Sequence, residues 1–242
     1  MKKLKEYISF LKTIFIALIL AGLVRSFWFE PFHIPSGSMK PGLLVGDYII
    51  VSKYSYGYSR YSFPFGFNFF EGRIFAKEPQ RGQVVVFRYP PDPSINYVKR
   101  LIGLPGDSIQ MRDGFLYIND KKIEKIADGK FFDEQITEIP VNIKKFIEIL
   151  PDGKKIETLD MQENSISDDT GIYKVPQGYY FMMGDNRDNS QDSRFLSYVG
   201  FVPQENLIGE ARFIFFSTQD PLWQILKLHN SIRFERIFKK IN

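Results

Sequence analysis

The sequence predicts a mostly β fold: a core of antiparallel sheet with an inserted smaller β subdomain, preceded by one N-terminal transmembrane helix. Three observations carry this prediction. A long apolar run stands near the N-terminus, short β-branched runs closed by Gly or Pro turns follow it, and a more polar stretch separates two groups of those runs. Such runs between tight turns are typical of antiparallel β proteins rather than of α/β proteins.

The apolar run covers residues 8–24 and reads ISFLKTIFIALILAGLV, with Lys12 as its one charged residue. About 20 such residues cross a hydrocarbon core of about 30 Å, and Lys12 can extend its ammonium to the near interface. The aromatic residues 27–29 suit the far interface. We therefore predict a transmembrane anchor over residues 8–28.

The charges around this run predict its orientation. Lysines at positions 2, 3, 5 and 12 crowd the first side, whereas Arg25 stands nearly alone on the other. The positive-inside rule then places residues 1–7 in the cytoplasm and the bulk of the chain outside. A cleaved signal peptide is the competing interpretation, but Arg25-Ser26-Phe27-Trp28 follows the run where a small-x-small cleavage site would be needed. A buried core helix would fit poorly with the flanking lysines.

Strands dominate the rest of the chain. The stretch 108–176 is richer in Lys, Asp and Glu, and we predict that it is an inserted subdomain between core parts 29–107 and 177–221. The predicted strands are Asp47–Lys53, Gln83–Tyr89, Tyr97–Ile102, Phe115–Ile118, Tyr179–Met183 and Glu210–Phe216.

Two further segments carry open alternatives. Alternating Tyr and Phe in 54–70 predict an extended hairpin with one aromatic face, which we expect to cover the sheet; contact with the lipid interface is the alternative. The basic tail 222–242 has apolar residues at helical spacing, which predicts an amphipathic helix. That helix could lie on a membrane surface or pack on its own domain.

Composition excludes several classes of chemistry. The chain has no Cys and two His, which argues against Cys/His catalysis and multi-ligand zinc sites, so no metal and no cofactor are expected. The net charge is +4, and residues 222–242 contain five basic residues against one acidic residue. Because the basic excess lies in the tail and not on the folded body, no nucleic-acid partner is expected.

Ser38 and Lys99 are the candidate reactive pair. Ser38 lies in a Gly/Pro-rich turn, where a serine is usually only a turn residue. Lys99 lies in a strand amid Tyr97, Val98, Leu101 and Ile102, and alternation could turn it inward. An inward lysine loses hydration, its pKa falls, and the neutral amine can accept a serine proton.

The segment 184–194, GDNRDNSQDSR, is dense in turn formers and alternating charges. A metal site from Asp185, Asp188 and Asp192 is disfavoured, because the calcium-loop spacing is absent and two arginines repel a cation. Hydrogen-bonded scaffolding is the better interpretation. The Ser-x-x-Lys pattern at Ser9 and Lys12 is a chance match, because it begins the membrane segment, where no pocket can form.

With these segments identified, the chain resembles the bacterial type I signal peptidases, membrane-anchored Ser/Lys proteases that remove signal peptides from exported precursors. Four boxes occur in order behind the anchor: SGSMKP at 36–41, RGQVVVF at 81–87, YVKRLIGLPGD at 97–107 and the segment 184–194. The resemblance implies precursor proteins and the lipid bilayer as partners. It also implies a single-pass protein of the bacterial inner membrane with its catalytic domain on the periplasmic side.

The resemblance also implies residue roles. Ser38 would be the nucleophile and Lys99 the general base, with the Ser38 backbone N–H and the Ser36 hydroxyl forming the oxyanion hole. Ser190 would orient the Lys99 amine. Ion-paired support would come from Asp185, Asp192, Arg100 and Arg194, and shallow pockets for small residues from Phe32, Ile34, Pro35, Met39, Leu43, Tyr97 and Val98.

Two positions depart from the family pattern, which usually has Thr in place of Gly42 and Asp in place of Gln83. Gly42 puts the local rigidity of the serine turn in question, and Gln83 removes a possible charge partner. Neither position is the nucleophile or the base. An inactive, membrane-tethered binding module is the alternative function, although retention of both Ser38 and Lys99 argues against it. Ser/Lys autoproteases of the repressor type lack the anchor.

Overall fold

The described chain begins with the helix α1 (Lys2–Phe27), and the regular structure that follows it consists mainly of β-strands. Within Lys3–Phe27 the most apolar stretch of 18 residues has a mean hydropathy of 2.2, and none of that stretch is buried against the protein. A helix of this length and composition can cross a membrane, and a core helix of a soluble protein would be mostly buried. The observed helix includes the predicted apolar run and extends it toward the N-terminus.

The computed structural model describes residues 2–63, 71–133, 141–162, 165–220 and 231–242. In these ranges the strands are β1 (Phe29–His33), β2 (Asp47–Ser52), β3 (Val84–Arg88), β4 (Asn96–Gly103), β5 (Ser108–Arg112), β6 (Phe115–Ile118), β7 (Lys121–Lys122), β8 (Glu124–Asp133), β9 (Val141–Ile149), β10 (Lys155–Asp160), β11 (Tyr173–Lys174), β12 (Tyr179–Met183), β13 (Val202–Pro203) and β14 (Leu207–Ser217).

The largest sheet has seven strands in the order β1-β2-β14-β3-β4-β12-β13, and all of its pairings are antiparallel. The mostly β, antiparallel prediction is confirmed. Each predicted strand is present, with ends that differ by a few residues; β14, for example, begins at Leu207 rather than at Glu210. The central strands are buried on both faces, which explains their nearly continuous apolar sequences.

The strands between Ser108 and Lys174 form two smaller sheets, β11-β5-β6-β7 and β10-β9-β8. These strands all lie within the interval 108–176. An apolar cluster joins the four-stranded sheet to the large sheet, because Ile109 and Leu116 pack with Ile102 of β4 and Phe181 of β12. The division into an inserted subdomain and a two-part core remains our proposal.

Residues 232–242 differ from the predicted amphipathic helix; Ser231 is helical, and residues 222–230 of that prediction lie outside the described residues. Beyond Ser231 the described tail contains one 3-10 turn, Phe234–Arg236, between an isolated bridge from Ile232 to Thr218 and another from Lys240 to Phe213 of β14. The physical reason is that β3 pairs with β14 only as far as Glu210, so the tail finds an open strand edge beyond that residue. Sheet hydrogen bonds replace helical ones.

The aromatic segment also differs from prediction in its described part, 54–63, while residues 64–70 lie outside the described residues. Two 3-10 turns, Lys53–Ser55 and Arg60–Ser62, replace a continuous extended strand. Tyr56 is buried in the core, whereas Tyr58 donates a hydrogen bond to the Phe27 carbonyl at 2.9 Å. The tyrosines therefore do not share one face, since the turns rotate them apart.

Candidate active site

Ser38 lies in a 3-10 turn, Gly37–Met39, that follows β1. Met39, the last residue of the turn, and Leu43, which follows it, are buried in one apolar cluster that anchors the loop to the sheet. On its other side the loop is held by Asn186, whose backbone N–H donates to the Ser38 carbonyl at 3.1 Å and whose Nδ2 donates to the Gly37 carbonyl at 3.2 Å. These contacts hold the turn on both sides, and Ser38 itself is only 8% exposed.

Gly184 makes this close approach feasible. A Cβ at this position would lie 2.2 Å from Ser190 Oγ and 2.6 Å from the Ser38 carbonyl oxygen. Real Cβ atoms do not approach backbone so closely, so any other residue would push the 184–194 segment away from the serine turn. Gly184, the first residue of the segment 184–194, therefore has a steric role.

Lys99 lies on β4, opposite Val85 of β3, and points into the protein with 3% exposure. A hydrogen bond of 2.5 Å joins its Nζ to Ser38 Oγ. Burial lowers the pKa of Lys99 to about 8, and Arg194 contributes in the same direction, while Asp192 and Asp185 oppose the shift. Lys99 is therefore turned inward, although β4 is buried on both faces from Lys99 onward and its burial does not alternate, and the amine can be neutral near physiological pH.

The two remaining serines of the predicted site occupy different positions. Ser36 Oγ lies 3.4 Å from Ser38 Oγ on the exposed side of the turn. Ser190 is buried, but its Oγ has no hydrogen-bond partner among the described residues, so the expected contact with the Lys99 amine is not made. The Lys99 amine is directed to Ser38 instead, and Ser190 Oγ lies against Gly184.

The predicted support residues form two buried ion pairs. Arg100 binds Asp185 through two contacts of 2.7 Å and also donates to the Gly82 carbonyl at 2.6 Å. Arg194 binds Asp192 through two contacts of 2.9 Å. Bidentate pairs of this kind fix geometry as well as charge.

The Asp192 carboxylate also accepts the Gly184 N–H at 2.9 Å, which ties the pair to the loop below Ser38. Burial alone would raise the pKa of Asp192, but Arg194 outweighs this effect and the pKa falls below its usual value. Asp192 therefore remains an anion, which explains why it opposes the fall of the Lys99 pKa.

Most of the predicted substrate-contact residues come together. Ile34, Met39 and Leu43 share a buried cluster, against which Phe32 and Val98 pack while partly exposed. Pro35 is exposed beside them. Tyr97 belongs to the neighbouring cluster, stacks on Tyr89 at 4.7 Å and lies with its ring centroid 5.6 Å from Lys99 Nζ.

Three supporting interactions were not predicted from the sequence. Arg187 pairs with Glu148 of β9 at 2.6 and 2.5 Å, and both are buried, so the segment 184–194 is fixed to the three-stranded sheet. Arg236 of the tail donates to the Gly42 carbonyl at 2.9 Å and to Asp47 at 2.5 Å. The third is the pair of hydrogen bonds from Asn186 to the Ser38 turn. None of these pairings has a local sequence signal, although Asn186 and Arg187 lie inside a recognised box.

Both departures from the family pattern have structural substitutes. The carbonyl of Gly42 is held by Arg236, which restrains the turn without a β-branched side chain. Gln83 Oε1 accepts hydrogen bonds from Tyr56 OH at 3.1 Å and from the Gln80 N–H at 2.8 Å. Gln83 therefore acts here as a neutral turn cap.

Within the described ranges, no group of three His, Cys, Asp or Glu residues could hold a metal ion. Asp188 illustrates the scaffolding alternative, because its Oδ2 accepts the backbone N–H groups of Met161 and Gln162 at 2.7 and 3.0 Å. The acidic residues of the 184–194 segment are occupied by hydrogen bonds and arginines.

Comparison with known proteins bears on this geometry. A family model described as "Signal peptidase, peptidase S26" matches residues 7–216. The chain belongs to this signal peptidase family. Signal peptidase I of Rickettsia typhi is 46% identical over 98% of this chain and 93% of its own length, and that of Rickettsia canadensis is 47% identical over the same shares.

A solved signal peptidase I from Enterococcus faecalis V583 is 29% identical and covers 55% of this chain and 97% of its own, with a TM-score of 0.32. That score is too low to support an argument about the fold. Membership in the S26 signal peptidase family makes the chain a peptidase, and the four sequence boxes lie inside the matched residues. The resemblance drawn from those boxes is therefore confirmed.

Proposed function

We propose that this S26 peptidase is a membrane-anchored serine endopeptidase that removes N-terminal signal peptides from exported precursor proteins with a Ser38–Lys99 dyad. The observation that carries the proposal is the 2.5 Å hydrogen bond between Ser38 Oγ and the buried Lys99 Nζ. A serine needs an adjacent base to become nucleophilic, and this amine is the base in contact with it.

The reaction begins when the neutral Lys99 amine accepts the Ser38 proton as Ser38 Oγ attacks the scissile carbonyl carbon. The resulting ammonium then donates a proton to the leaving amine, and the C–N bond breaks to give an ester with Ser38. In the second half, Lys99 accepts a proton from water, water attacks the ester, and Ser38 recovers its proton. The lowered pKa of Lys99, about 8, suits both proton transfers.

The negative charge that develops on the carbonyl oxygen requires donors. We assign these to the Ser38 backbone N–H and the Ser36 hydroxyl, which lies on the exposed side of the turn, 3.4 Å from Ser38 Oγ. Each such donor contributes about 3 kcal/mol to transition-state stabilisation in comparable sites. The ion pairs Arg100–Asp185 and Arg194–Asp192 hold the wall behind Lys99 but do not contact the reacting atoms.

The substrate chain lies, in this proposal, along the partly exposed apolar surface of Phe32 and Val98. Its floor is formed by Ile34, Met39 and Leu43, which are buried in one apolar cluster, and we infer that this shallow apolar surface favours small residues before the cleaved bond. We keep Ser190 as a positioning residue for the amine, since its buried, unpartnered hydroxyl lies beside Gly184 and can rotate.

The helix α1 anchors the enzyme in the bacterial inner membrane, with residues 1–7 in the cytoplasm and the strands on the periplasmic side. The lysine distribution around the apolar run supports this orientation. It places Ser38, eleven residues after the helix ends, near the surface from which exported precursors emerge.

Cleavage of a precursor by the purified full-length protein in detergent tests the proposal. Ser38→Ala should abolish cleavage, and Ser94→Ala, a matched change of an exposed serine in the β3–β4 connection, should retain it. Cleavage by Ser38→Ala at the wild-type rate would refute the assigned nucleophile. An inert wild type would instead favour the inactive binding module.

A further inference from the structure

A second cluster of charge lies at the opposite end of β1 from Ser38, where helix α1 ends. A cavity of about 70 Å³ is present there, lined by Arg25, Lys53 and Arg88 together with Glu30 and the aromatic ring of Tyr61. Three cations surround it against one carboxylate. The peptidase chemistry proposed above uses none of these groups.

Glu30 balances two of the cations. Its Oε1 accepts from Arg25 Nη2 at 2.7 Å, and its Oε2 accepts from Lys53 Nζ at 2.9 Å. Lys53 is only 2% exposed and also donates to the Ser62 carbonyl at 2.6 Å, which accounts for two of its three N–H groups within the described part of the chain. Burial lowers the pKa of Lys53; Glu30 opposes this shift, and the positive charges of Arg25 and Arg88 add to it.

The Arg88 guanidinium has fewer hydrogen-bond acceptors among the described residues than its N–H groups can use. Its Nε is buried with no hydrogen-bond partner among the described residues, and its Nη1 reaches the Ser94 carbonyl only at 3.5 Å. Its guanidinium carbon lies 5.7 Å from the centre of the Tyr61 ring. An anionic ligand in the cavity would supply the acceptors that this half-buried guanidinium lacks among the described residues.

The position of the cavity indicates the source of that anion. Arg25 is in the last turn of α1, and the Lys53 N–H donates to the Trp28 carbonyl at 2.9 Å, so the cavity is fixed to the end of the membrane helix. Trp28 and Phe29 beside it are 52% and 39% exposed. Exposed aromatic residues at the end of a spanning helix lie at the depth of lipid headgroups.

We propose that this cavity binds the phosphate group of an anionic phospholipid of the outer leaflet. Arg88 and Lys53 donate to the phosphate oxygens from inside, Arg25 closes the mouth of the cavity, and the acyl chains lie along α1. The site would fix the height and tilt of the strand body on the bilayer. The proposal rests on α1 spanning the membrane and is independent of the Ser38–Lys99 assignment.

Native mass spectrometry of the full-length protein in a neutral detergent, titrated with dioleoylphosphatidylglycerol, tests the site. Wild type should retain one lipid, and Arg88→Gln should bind it about ten-fold more weakly, the usual effect of losing one charge-assisted contact. Arg25→Gln, a change of an exposed residue, should weaken binding in the same direction without disturbing the core. Arg112→Gln, which removes the same charge from β5, is the matched control and should bind as wild type.

Equal lipid binding by Arg25→Gln, Arg88→Gln and Arg112→Gln would overturn the proposal. A parallel titration with inorganic phosphate separates the two sources of the anion: retention of phosphate in a protein that does not retain the lipid would overturn the lipid assignment. Cleavage of a soluble peptide by each variant reports folding. A variant with normal cleavage and weakened lipid binding supports the site, and failure of the peptidase proposal would leave that result unchanged.

Discussion

Asn186 holds the Ser38 turn through two hydrogen bonds from one residue: its backbone N–H binds the Ser38 carbonyl at 3.1 Å, and its side-chain Nδ2 binds the adjacent Gly37 carbonyl at 3.2 Å. The turn and the 184–194 segment are separated by about 150 positions in sequence. Asn186 is fully buried, so these bonds do not compete with water. Asn186 therefore fixes the Ser38 turn against the 184–194 segment.

Asn186→Ala should lower kcat about ten-fold with little change in KM, because one buried hydrogen bond contributes about 1–1.5 kcal/mol and acts on the position of the nucleophile. Asn189→Ala in the same segment is the matched control, since Asn189 is exposed. Steady-state kinetics with one precursor measures both. A change confined to KM would show that Asn186 acts on substrate binding instead.

Lys99→Arg should abolish cleavage although it keeps the positive charge. A guanidinium stays protonated at all relevant pH values and cannot accept the Ser38 proton. Lys121→Arg on β7, where the lysine is exposed, should cleave normally. Substantial activity in Lys99→Arg would remove Lys99 from the mechanism.

The pH dependence should follow the Lys99 amine. Because the neutral amine is the proposed base, kcat/KM should rise with pH and level off above about 8, the pKa to which burial lowers this group. A pH–rate profile of the wild type measures the midpoint. A profile that falls with rising pH through this range would contradict a lysine base.

The same pKa shift predicts a change in stability. Below about pH 8 both folded and unfolded chains carry the Lys99 proton; between about 8 and its ordinary value of 10.5 the folded chain has lost it and the unfolded chain has kept it. The free energy of unfolding therefore rises with pH across this window, by roughly 3 kcal/mol in total. The free energy of unfolding of the protein in detergent can be measured at several pH values across this window. Lys99→Met should remove the rise with pH that Lys99 contributes. A plot of unfolding free energy against pH with the same slope in wild type and Lys99→Met would contradict the prediction.

Ser36→Ala should reduce turnover by about 10²–10³ with substrate affinity little changed, because the lost hydroxyl is assigned to the developing oxyanion. Ser36→Thr keeps a hydroxyl and should recover part of the rate. An effect on apparent affinity alone would mean that Ser36 only positions the substrate.

Topology can be tested in cells with a permeabilised outer envelope. Added protease should digest residues beyond Phe29, while a tag placed before Met1 should remain protected, as the lysine distribution around residues 8–24 predicts. The reverse pattern would place Ser38 in the cytoplasm and defeat both the orientation and the assigned function.

Local sequence patterns predicted the strands, because β-branched runs and turn residues act over a few positions, but they only allowed an inward Lys99, since β4 is buried on both faces from that residue onward. The resemblance to signal peptidases predicted which residues pair behind Lys99. Neither source predicted Glu148 as the partner of Arg187, since a buried carboxylate in a charged strand has the same local pattern as an exposed one. The tail was predicted as a helix because its apolar spacing is helical, whereas over residues 232–242 the open edge of β14, a tertiary feature, decides the structure.

The bonds from Arg236 to Asp47 and Gly42 have a consequence for biosynthesis. Arg236 follows Asp47 by 189 positions, so at roughly 5–20 residues per second the ribosome needs on the order of 10–40 s to supply it after Asp47 has been made. By the end of that interval Ser38 and Lys99 have both been translated, yet the turn beside the serine still lacks its contact with Arg236. A chain that stalls between positions 99 and 236 therefore carries both residues of the proposed dyad without the arginine that restrains the turn beside Ser38.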